Sequence, residues 1–325
     1  MTKKWARAAL SHPAFSGVSR SHLVDLIDEM AKPWCALREA ALHAQRGGNQ
    51  LRAVRASPRR ELVFTDRVVL TLGHLRTRLP HAAMAELYSV GRSTVNEAIS
   101  EIRHPLALGG FAVPDRPEPR LRTPAHVFAY AAAEGVTLRI DGTETQIRRR
   151  RAHRPGRRAF VSGMKKHNTI KNTTISDGQG RTLWTNVGRP GPMHDQTAMH
   201  TEDIAEQPRL HPGVKTEVDE GYRGLAKGFL DQVSAPPKKP KVDVLDRERR
   251  AWREIRRHQS SRRIVVVHAN AEMRHWRPLQ RYSGHRETCA ETHRAIAGLA
   301  SDRAARCPSR PVHGTGTVLA RPAVC

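Results

Sequence analysis

The pattern of apolar residues changes once along this chain of 325 residues, near residue 136, and that change limits the possible folds most. Before it, apolar residues recur at the three- and four-residue spacing of amphipathic helices. After it, short runs such as Val136–Ile140 and Thr169–Ser176 indicate strands, and helical segments follow them. The pattern therefore predicts an all-α region followed by a domain of the α/β or α+β class.

Residues 60 to 106 carry three helical segments. Thr65 or Asp66 is placed to cap the first segment, and Pro80 suits the start of the second. A short turn that contains Gly91 separates the second segment from the third. The third helix should turn Val95, Ile99 and Ile102 inward and Arg92, Ser93, Thr94 and Asn96 outward.

Two helices around a glycine-containing turn are typical of a helix-turn-helix, whose second helix reads the DNA major groove from its first residues. An ordinary three-helix bundle has the same pattern. The charge favours the helix-turn-helix, because 56 Lys and Arg against 31 Asp and Glu give a net charge of +25. Such an excess suits a polyanionic partner, most commonly nucleic acid. A coding bias towards arginine is the competing explanation of that charge.

Several classes of protein are disfavoured by what the sequence lacks. No apolar run approaches the roughly 18 residues of a transmembrane helix, and the N-terminus makes a poor secretory signal. The four cysteines form no CxxC pair, so neither a zinc ribbon nor a disulfide framework is indicated. We therefore expect a protein of the reducing cytoplasm with no membrane partner.

Two aspartates at predicted strand ends, Asp141 and Asp219, are the candidate chemical centre. Each follows a predicted strand and precedes residues that favour a turn. Carboxylates held at the end of a strand suit a hard divalent cation, and two neighbouring strands would bring both to one metal site. The competing interpretation is that each aspartate only begins a turn, as Asp-Gly pairs often do.

Four motifs, in order, resemble the DDE transposases of bacterial insertion sequences: LRIDGTETQI, FVSGMKKHNTIK, DGQGRTLWTNVGRPGPMHD and VDEGYRG. The helices before them resemble the helix-turn-helix that precedes the endonuclease in that group, and the resemblance covers about residues 60 to 305. It implies an RNase H-like fold with a mixed five-stranded sheet and flanking helices. It also implies an Asp, Asp and Glu triad that holds two Mg²⁺ or Mn²⁺ ions, with Asp141 and Asp219 as its catalytic, metal-binding aspartates.

The third acid of that triad is missing at its expected place. In the family it lies on a late helix, with an Arg one turn before it and a Lys or Arg two turns after it. Arg263 and Arg274 fit these flanks, and the residue at the acid's position is Val267. Glu272 would lie about 140° away around a helix, and Glu254 would need a larger rearrangement. We therefore expect a chain that binds DNA and cuts it weakly or not at all.

Basic residues near the proposed site are candidate contacts to DNA phosphates. Lys165 and Lys166 are predicted DNA contacts, as are Arg92, Ser93, Thr94 and Asn96 of the third helix. The basic stretch Arg148–Arg158 also flanks the site. A solvated, charged face is the alternative interpretation. Asp195 ends the third motif, and we expect it to have a local role, such as capping the next helix, rather than a metal-binding role.

The sequence thus predicts an insertion-sequence transposase that cleaves and transfers DNA strands at the element's ends. The alternative is a catalytically inactive DNA-binding remnant or repressor, because of Val267. Double-stranded DNA (terminal inverted repeats and target), a homodimer in the DNA complex and association with the nucleoid are expected from the resemblance alone. The predicted regions are N-terminal helices (1–58), a helix-turn-helix (59–110), a connector (111–135), the endonuclease (136–305) and a disordered tail (306–325).

Overall fold

The computed structural model describes residues 3–48, 61–113, 116–150, 153, 156, 158–186, 188–241 and 244–306. The chain divides into two compact units. The first unit comprises the chain up to Gly109 together with Trp276–Pro278, and the second comprises Gly110–His275 and the chain from Leu279 onwards. The predicted tail lies outside the described residues, apart from its first residue.

Helices form the described part of the first unit, as the spacing of its apolar residues predicts. They are α1 (Lys3–Leu10), α2 (Pro13–Ser16), α3 (Arg20–Arg46), α4 (Phe64–Thr77), α5 (His81–Tyr88) and α6 (Arg92–Leu108). α6 packs against both α4 and α5. Leu72, Met84 and Val95, one from each of these three helices, are fully buried, so the core of this unit lies between them.

The start of α4 differs from the prediction that Thr65 or Asp66 caps it. The N-cap residue is Val63, and both predicted caps lie inside the helix. Asp66 is buried and accepts a hydrogen bond of 2.6 Å from Nε of Arg7. An ion pair with a neighbouring helix therefore decides the place of this carboxylate. On α6 the predicted faces are observed: Val95, Ile99 and Ile102 are buried, Arg92, Ser93 and Asn96 are exposed, and Thr94 is half-buried.

A mixed sheet forms the centre of the second unit. The strands of this unit are β1 (Phe111–Val113), β2 (Arg116–Leu121), β3 (Leu138–Ile147), β4 (Thr169–Ser176), β5 (Thr182–Thr185), β6 (Arg189–Pro190), β7 (Thr216–Val218), β8 (Val233–Ser234) and β9 (Arg281–Tyr282). Five of them lie in the order β5–β4–β3–β7–β8, where β3 is antiparallel to β4, β4 to β5, and β7 is parallel to both β3 and β8. The short strands β6 and β9 pair with β4 and β3.

Helices flank this sheet. The helices that follow α6 along the chain are α7 (Pro124–Glu134), α8 (Asp195–Thr201), α9 (Gln207–Leu210), α10 (Arg223–Gly228), α11 (Asp246–Met273), α12 (Arg277–Gln280) and α13 (Cys289–Arg306). α11 packs on β3 and β4, whereas α13 packs on β5 and β1. None of the helices in the described part of the chain is both long enough and apolar enough to cross a membrane.

The stretch from 111 to 135, predicted as a connector, contains regular structure. β1 and β2 pair as an antiparallel two-stranded sheet, and α7 follows them. Phe111 and Val113 are buried, and β1 contacts α13. Because strand pairing over so few residues gives a weak alternation, the four prolines of this stretch dominated its sequence pattern.

The prediction that the first strand ends at Asp141 is wrong, because β3 continues to Ile147. On one edge of β3, β4 pairs with residues 139–146. On the other edge, β7 pairs only with residues 138–140 and β9 only with residues 146–147. Residues 141–145 therefore have no strand beside them on that edge within the described part of the chain, and α11 packs nearby.

Candidate active site

Asp141 and Asp219 lie side by side although they are distant in the sequence. Ile140 and Val218 are partners in the parallel pairing of β3 with β7. Neighbouring strands lie about 4.8 Å apart, so the backbones of Asp141 and Asp219, which directly follow these two residues, are close to one another. NH1 of Arg263 donates to Oδ1 of Asp219 at 2.7 Å, and its NH2 donates to Oδ1 of Asp141 at 3.1 Å. Since one planar guanidinium makes both contacts, the two carboxylate oxygens lie within about 8 Å of one another.

The turn interpretation of these two aspartates does not describe their geometry. Asp141 lies inside β3. Asp219 follows β7 and precedes a 3₁₀ turn, Glu220–Tyr222, but its side chain makes no capping hydrogen bond there. Because Ile140 and Val218 are fully buried and side chains alternate along a strand, both aspartates lie on the opposite face of the sheet.

α11 covers that face with a row of polar side chains. Nδ2 of Asn270 donates to Oδ2 of Asp141 at 2.9 Å, and NH2 of Arg274 donates to Oγ1 of Thr143 on β3 at 3.0 Å. Val267 lies on the same helical face, about 40° from Arg263 and about 60° from Asn270. Its side chain is 49% exposed. The apolar residue at the expected position of the third acid therefore lies on the helical face that carries Arg263 and Asn270, where it is half exposed.

The two glutamates considered as substitutes lie elsewhere. Glu272 is on the opposite side of α11 from Arg263, about 180° away, and it pairs with Arg303 of α13 at 3.2 Å. Glu254 is exposed and precedes Arg263 by about 13 Å along the helix axis. Neither glutamate therefore completes a triad with Asp141 and Asp219 in this conformation.

The charge of Asp141 depends on its neighbours. Burial raises the pKa of this carboxyl, the guanidinium of Arg263 opposes that rise, and the charge of Asp219 adds to it. A carboxylate removed from water is unfavourable unless a cation lies close to it. A positive charge between the two aspartates therefore favours the ionised form of Asp141.

Asp195 does not cap the next helix, contrary to our expectation. The N-cap of α8 is His194, whose Nδ1 accepts a hydrogen bond of 3.3 Å from the backbone of Gln196. Asp195 instead accepts a hydrogen bond of 2.7 Å from Nζ of Lys171 on β4. A Cβ atom on Gly221 would lie 1.9 Å from Oδ2 of Asp195, so the glycine of the DEGY motif leaves room for this aspartate.

Tyr222 and Gly142 form a second close contact between motifs. The hydroxyl oxygen of Tyr222 lies 2.9 Å from the place that a Cβ atom on Gly142 would occupy. Tyr222 is fully buried, and burial raises the pKa of its phenol far above the usual range, so it stays neutral. The glycines of the DGT and DEGY motifs thus bring β3, β4 and the segment after β7 together beneath the two acids.

The donor atoms at the site suit one cation better than two. Within the described ranges, no group of three or more His, Cys, Asp and Glu side chains is placed to hold a metal ion. The site offers the carboxylates of Asp141 and Asp219 and the amide of Asn270. These oxygens suit a hard divalent ion, whereas a pair of ions would lack the third carboxylate.

Among the basic residues predicted near the site, Lys165, Lys166 and Arg150 lie in the described part of the chain. Lys165 and Lys166 are exposed on the turn before β4, and Nζ of Lys165 donates to the carbonyl oxygen of Glu144 on β3 at 2.9 Å. Lys165 therefore lies along the strand that carries Asp141. In the basic stretch, Arg150 pairs with Glu287 at 3.1 Å. Much of the remainder, 151–158, lies outside the described residues.

The sequence analysis missed two features of α11. Arg253, Arg256 and Arg257 are exposed and line a groove that also reaches Arg263 and Val267. Their spacing of one helical turn would have indicated a basic face. Asn270 was also missed, although it follows Arg263 by seven residues, the spacing that returns to the same helical face.

Comparison with known proteins gives one family and distant structural neighbours. Residues 140–300 match the family described as DDE superfamily endonuclease. A search of curated proteins finds no match.

Solved structures with some likeness include a Mos1 transposase paired-end complex with left transposon end (11% identity, 67% of this chain and 82% of that chain, TM-score 0.19). Another is a Mos1 mariner paired end complex with Mn (10% identity, 83% and 98%, TM-score 0.18). These TM-scores are too low to carry an argument. The residues that match this endonuclease family, 140–300, contain both site aspartates.

Proposed function

We propose that this protein is a DNA transposase of an insertion sequence, whose second unit cleaves and transfers DNA strands at the element's ends with the help of a divalent cation. One observation carries the proposal: two aspartates from separate motifs meet on adjacent parallel strands, close enough for one guanidinium to contact both. Two carboxylates that converge at a strand edge form a centre for a hard cation, and the family match covers both of them.

The sheet order supports an RNase H-like fold. β3, β4 and β5 follow one another in an antiparallel arrangement, and β7 and β8 add in parallel on the other side of β3. A mixed sheet in this order fits the five-stranded sheet that the resemblance implies, with β6 and β9 as short additions. In it the two aspartates come from the central strand and its parallel neighbour, as the proposed chemistry needs.

The residues of the site would divide the work as follows. Asp141 and Asp219 would hold the cation, which when bound activates a water or a 3′-hydroxyl and stabilises charge on the phosphodiester. Arg263 would bind a phosphate or release the two acids as the cation enters. Lys165 and Lys166 are exposed beside β3, where a DNA backbone entering the site would pass.

DNA binding by the first unit is the second part of the proposal. α6 exposes Arg92, Ser93 and Asn96 at its N-terminal end, after a short turn from α5. In a helix-turn-helix these positions contact bases and phosphates. The arginines of α11 would add sequence-independent contacts in the second unit. A homodimer that pairs two element ends stays a prediction.

A second candidate function is favoured by Val267. An apolar side chain on the site face of α11, where the resemblance places an acid, removes a cation ligand and leaves the DNA-binding features in place. In that case the protein recognises the element's ends without cutting them and acts as a repressor or a remnant of a transposase.

Restoring the acid separates the two candidates. Duplexes that carry the element's own ends, located as inverted repeats around its gene, are incubated with Mg²⁺ or Mn²⁺ and the full chain or its Val267→Glu variant. If the protein has lost its third ligand, the variant should cleave at least about 100-fold faster, since about 2.7 kcal/mol of transition-state stabilisation is regained. Val267→Gln is the matched control, because glutamine has nearly the same shape as glutamate but carries no charge.

The outcomes are distinct. Cleavage by the unchanged chain supports an active transposase with a different third ligand. Cleavage only by the Val267→Glu variant supports the inactive DNA-binding protein. No cleavage by either, while both bind the ends, removes the nuclease proposal and leaves DNA recognition.

DNA recognition by α6 is tested by fluorescence anisotropy at several salt concentrations. Arg92→Ala should weaken binding to all duplexes and lower the salt slope by about one, whereas Asn96→Ala should reduce the preference for the element's ends. Arg20→Ala removes an exposed arginine from the same unit and serves as the control. Equal losses in all three variants would contradict a recognition role for α6.

A further inference from the structure

Asn270 has a buried oxygen without a partner beside the two acids. Its side chain is only 6% exposed as a residue, its Nδ2 donates to Oδ2 of Asp141 at 2.9 Å, and its Oδ1 has no hydrogen-bond partner. Buried amide oxygens normally accept a hydrogen bond, because nothing else offsets their loss of water. An unpartnered carbonyl next to a carboxylate pair therefore indicates a position meant for a positively charged ligand.

The place of Asn270 on α11 strengthens this reading. It lies two turns after Arg263 and on nearly the same face, about 20° away. Arg263 contacts both aspartates, and Asn270 contacts Asp141. The amide therefore adjoins the space that the guanidinium occupies, whereas Val267 between them offers no donor or acceptor atom.

We propose that Asn270 supplies the third protein ligand, through Oδ1, of a single divalent cation held with Asp141 and Asp219. The inference rests on the proposed function, since it concerns the cation of the same site. Asn carbonyl oxygens are ordinary ligands of hard divalent ions. With one amide in place of a third carboxylate, the protein ligands carry a charge of about −2, which balances one divalent ion but not two.

Arg263 is the competitor of that cation. Its guanidinium makes charge-assisted hydrogen bonds to both aspartates, and such bonds are the strong ones. The cation can take the same oxygens only after the guanidinium has moved. The site therefore exchanges one internal positive group for one divalent ion.

The test is a calorimetric titration of the full chain with Mn²⁺ in the absence of DNA. Asn270→Asp adds a charged oxygen at the proposed ligand and should tighten binding at least about fivefold, because affinity for hard cations rises with ligand charge. Asn270→Ala removes the oxygen and should weaken binding by a similar factor. Gln45→Glu adds a negative charge at an exposed position of α3 in the first unit and should leave binding unchanged.

The Asp variant separates a ligand from a residue that only positions Asp141. If Asn270 matters only through the hydrogen bond that Nδ2 donates, Asn270→Asp loses that donor and should bind Mn²⁺ more weakly. Weaker or unchanged binding by Asn270→Asp therefore overturns the proposal, as does unchanged binding by Asn270→Ala. Thermal unfolding with and without Mn²⁺ gives an independent readout: Asn270→Asp should melt lower in chelator and gain more from Mn²⁺ than the unchanged chain.

Arg263→Gln tests the exchange. This variant removes the competing charge while keeping a polar side chain. It should tighten Mn²⁺ binding and make the affinity for Mn²⁺ less dependent on salt concentration. Weaker binding would overturn the competition. Because no DNA is present, these results stand apart from the proposed function: Mn²⁺ bound through Asn270 without any strand cleavage would support the ligand and refute the active nuclease.

Discussion

The candidate site has a strand side, formed by β3 and the segment after β7, and a helix side, formed by α11. The two sides differ in how tightly their residues are packed. On the strand side, Asp141 and Asp219 belong to motifs whose neighbouring glycines meet Tyr222 and Asp195 at distances that exclude any side chain. On the helix side, Val267 is half exposed at the place where a third acid is expected. Packing therefore constrains the motif glycines on the strand side, whereas the half-exposed residue at 267 is little constrained by packing.

Under the proposed function, this difference would let the site lose a cation ligand while the fold stays intact. A change at the strand side disturbs contacts between β3, β4 and the segment after β7. A change at position 267 alters an exposed helical residue, and such substitutions usually change stability by less than about 0.5 kcal/mol. A chain of this kind can therefore pass from enzyme to binding protein in a single substitution.

The largest expected effect is on the strand side. Gly221→Ala places a Cβ atom 1.9 Å from Oδ2 of Asp195, and the ion pair that the other oxygen, Oδ1, makes with Lys171 holds this carboxylate in place. We expect a loss of about 3 kcal/mol in the free energy of unfolding, measured by urea denaturation.

The matched control is Gly228→Ala at the end of α10, where a Cβ atom would meet nothing within 4 Å. It should be neutral or slightly stabilising, because alanine favours a helix over glycine by up to about 1 kcal/mol. Equal losses in both variants would mean that the strand side is no more tightly determined than a surface helix.

Lowering the pH should reduce the free energy of unfolding by a comparable or somewhat smaller amount, through His293 on α13, the helix that packs on β5 and β1. Burial lowers the pKa of His293, on α13, to about 4, whereas an exposed histidine titrates near about 6.5. The neutral imidazole is thus favoured by the fold, so stability is complete above about pH 6.5 and falls by about 2–3 kcal/mol towards pH 4. Urea denaturation across this pH range measures the fall.

His293→Gln should remove most of this fall in stability between about pH 6.5 and pH 4, because the amide does not titrate. His258→Gln, at an exposed position of α11, should leave the fall unchanged and serves as the control. An unchanged pH profile in the His293 variant would show that the helix behind the sheet does not carry the acid sensitivity.

The smallest expected effect is on the helix side. Val267→Glu should change the free energy of unfolding by less than about 0.5 kcal/mol, whereas Val266→Glu, one residue earlier and fully buried, should cost about 3 kcal/mol or more. Chemical denaturation of the two variants gives the values directly. A large loss at 267 would show that the valine stabilises the fold, and the contrast between the two sides would fail.

The sequence predicted β4 because its run of β-branched residues, Thr169–Ser176, follows a short-range rule. The motifs singled out Asp141 and Asp219, whose side chains lie close together, and their role stays a prediction. The end of the first strand was misplaced because Asp-Gly usually marks a turn, while pairing with β4 keeps Asp141 and Gly142 in β3.

Other features needed the tertiary structure. The bond of Asp66 to Arg7 and that of Asp195 to Lys171 join residues far apart along the chain, so local capping rules assigned both aspartates wrongly. Asn270 belongs to no sequence motif, and its spacing from Arg263 predicts only a shared helical face. Only its place beside Asp141 reveals that its oxygen lacks a partner.

The guanidinium between the two acids also has a consequence for how the protein matures. Because the guanidinium of Arg263 contacts both carboxylates, it offsets part of their mutual repulsion without any cation. If the proposed cation binds here, folding should not depend on it, and a chelator should remove the ion without unfolding the protein.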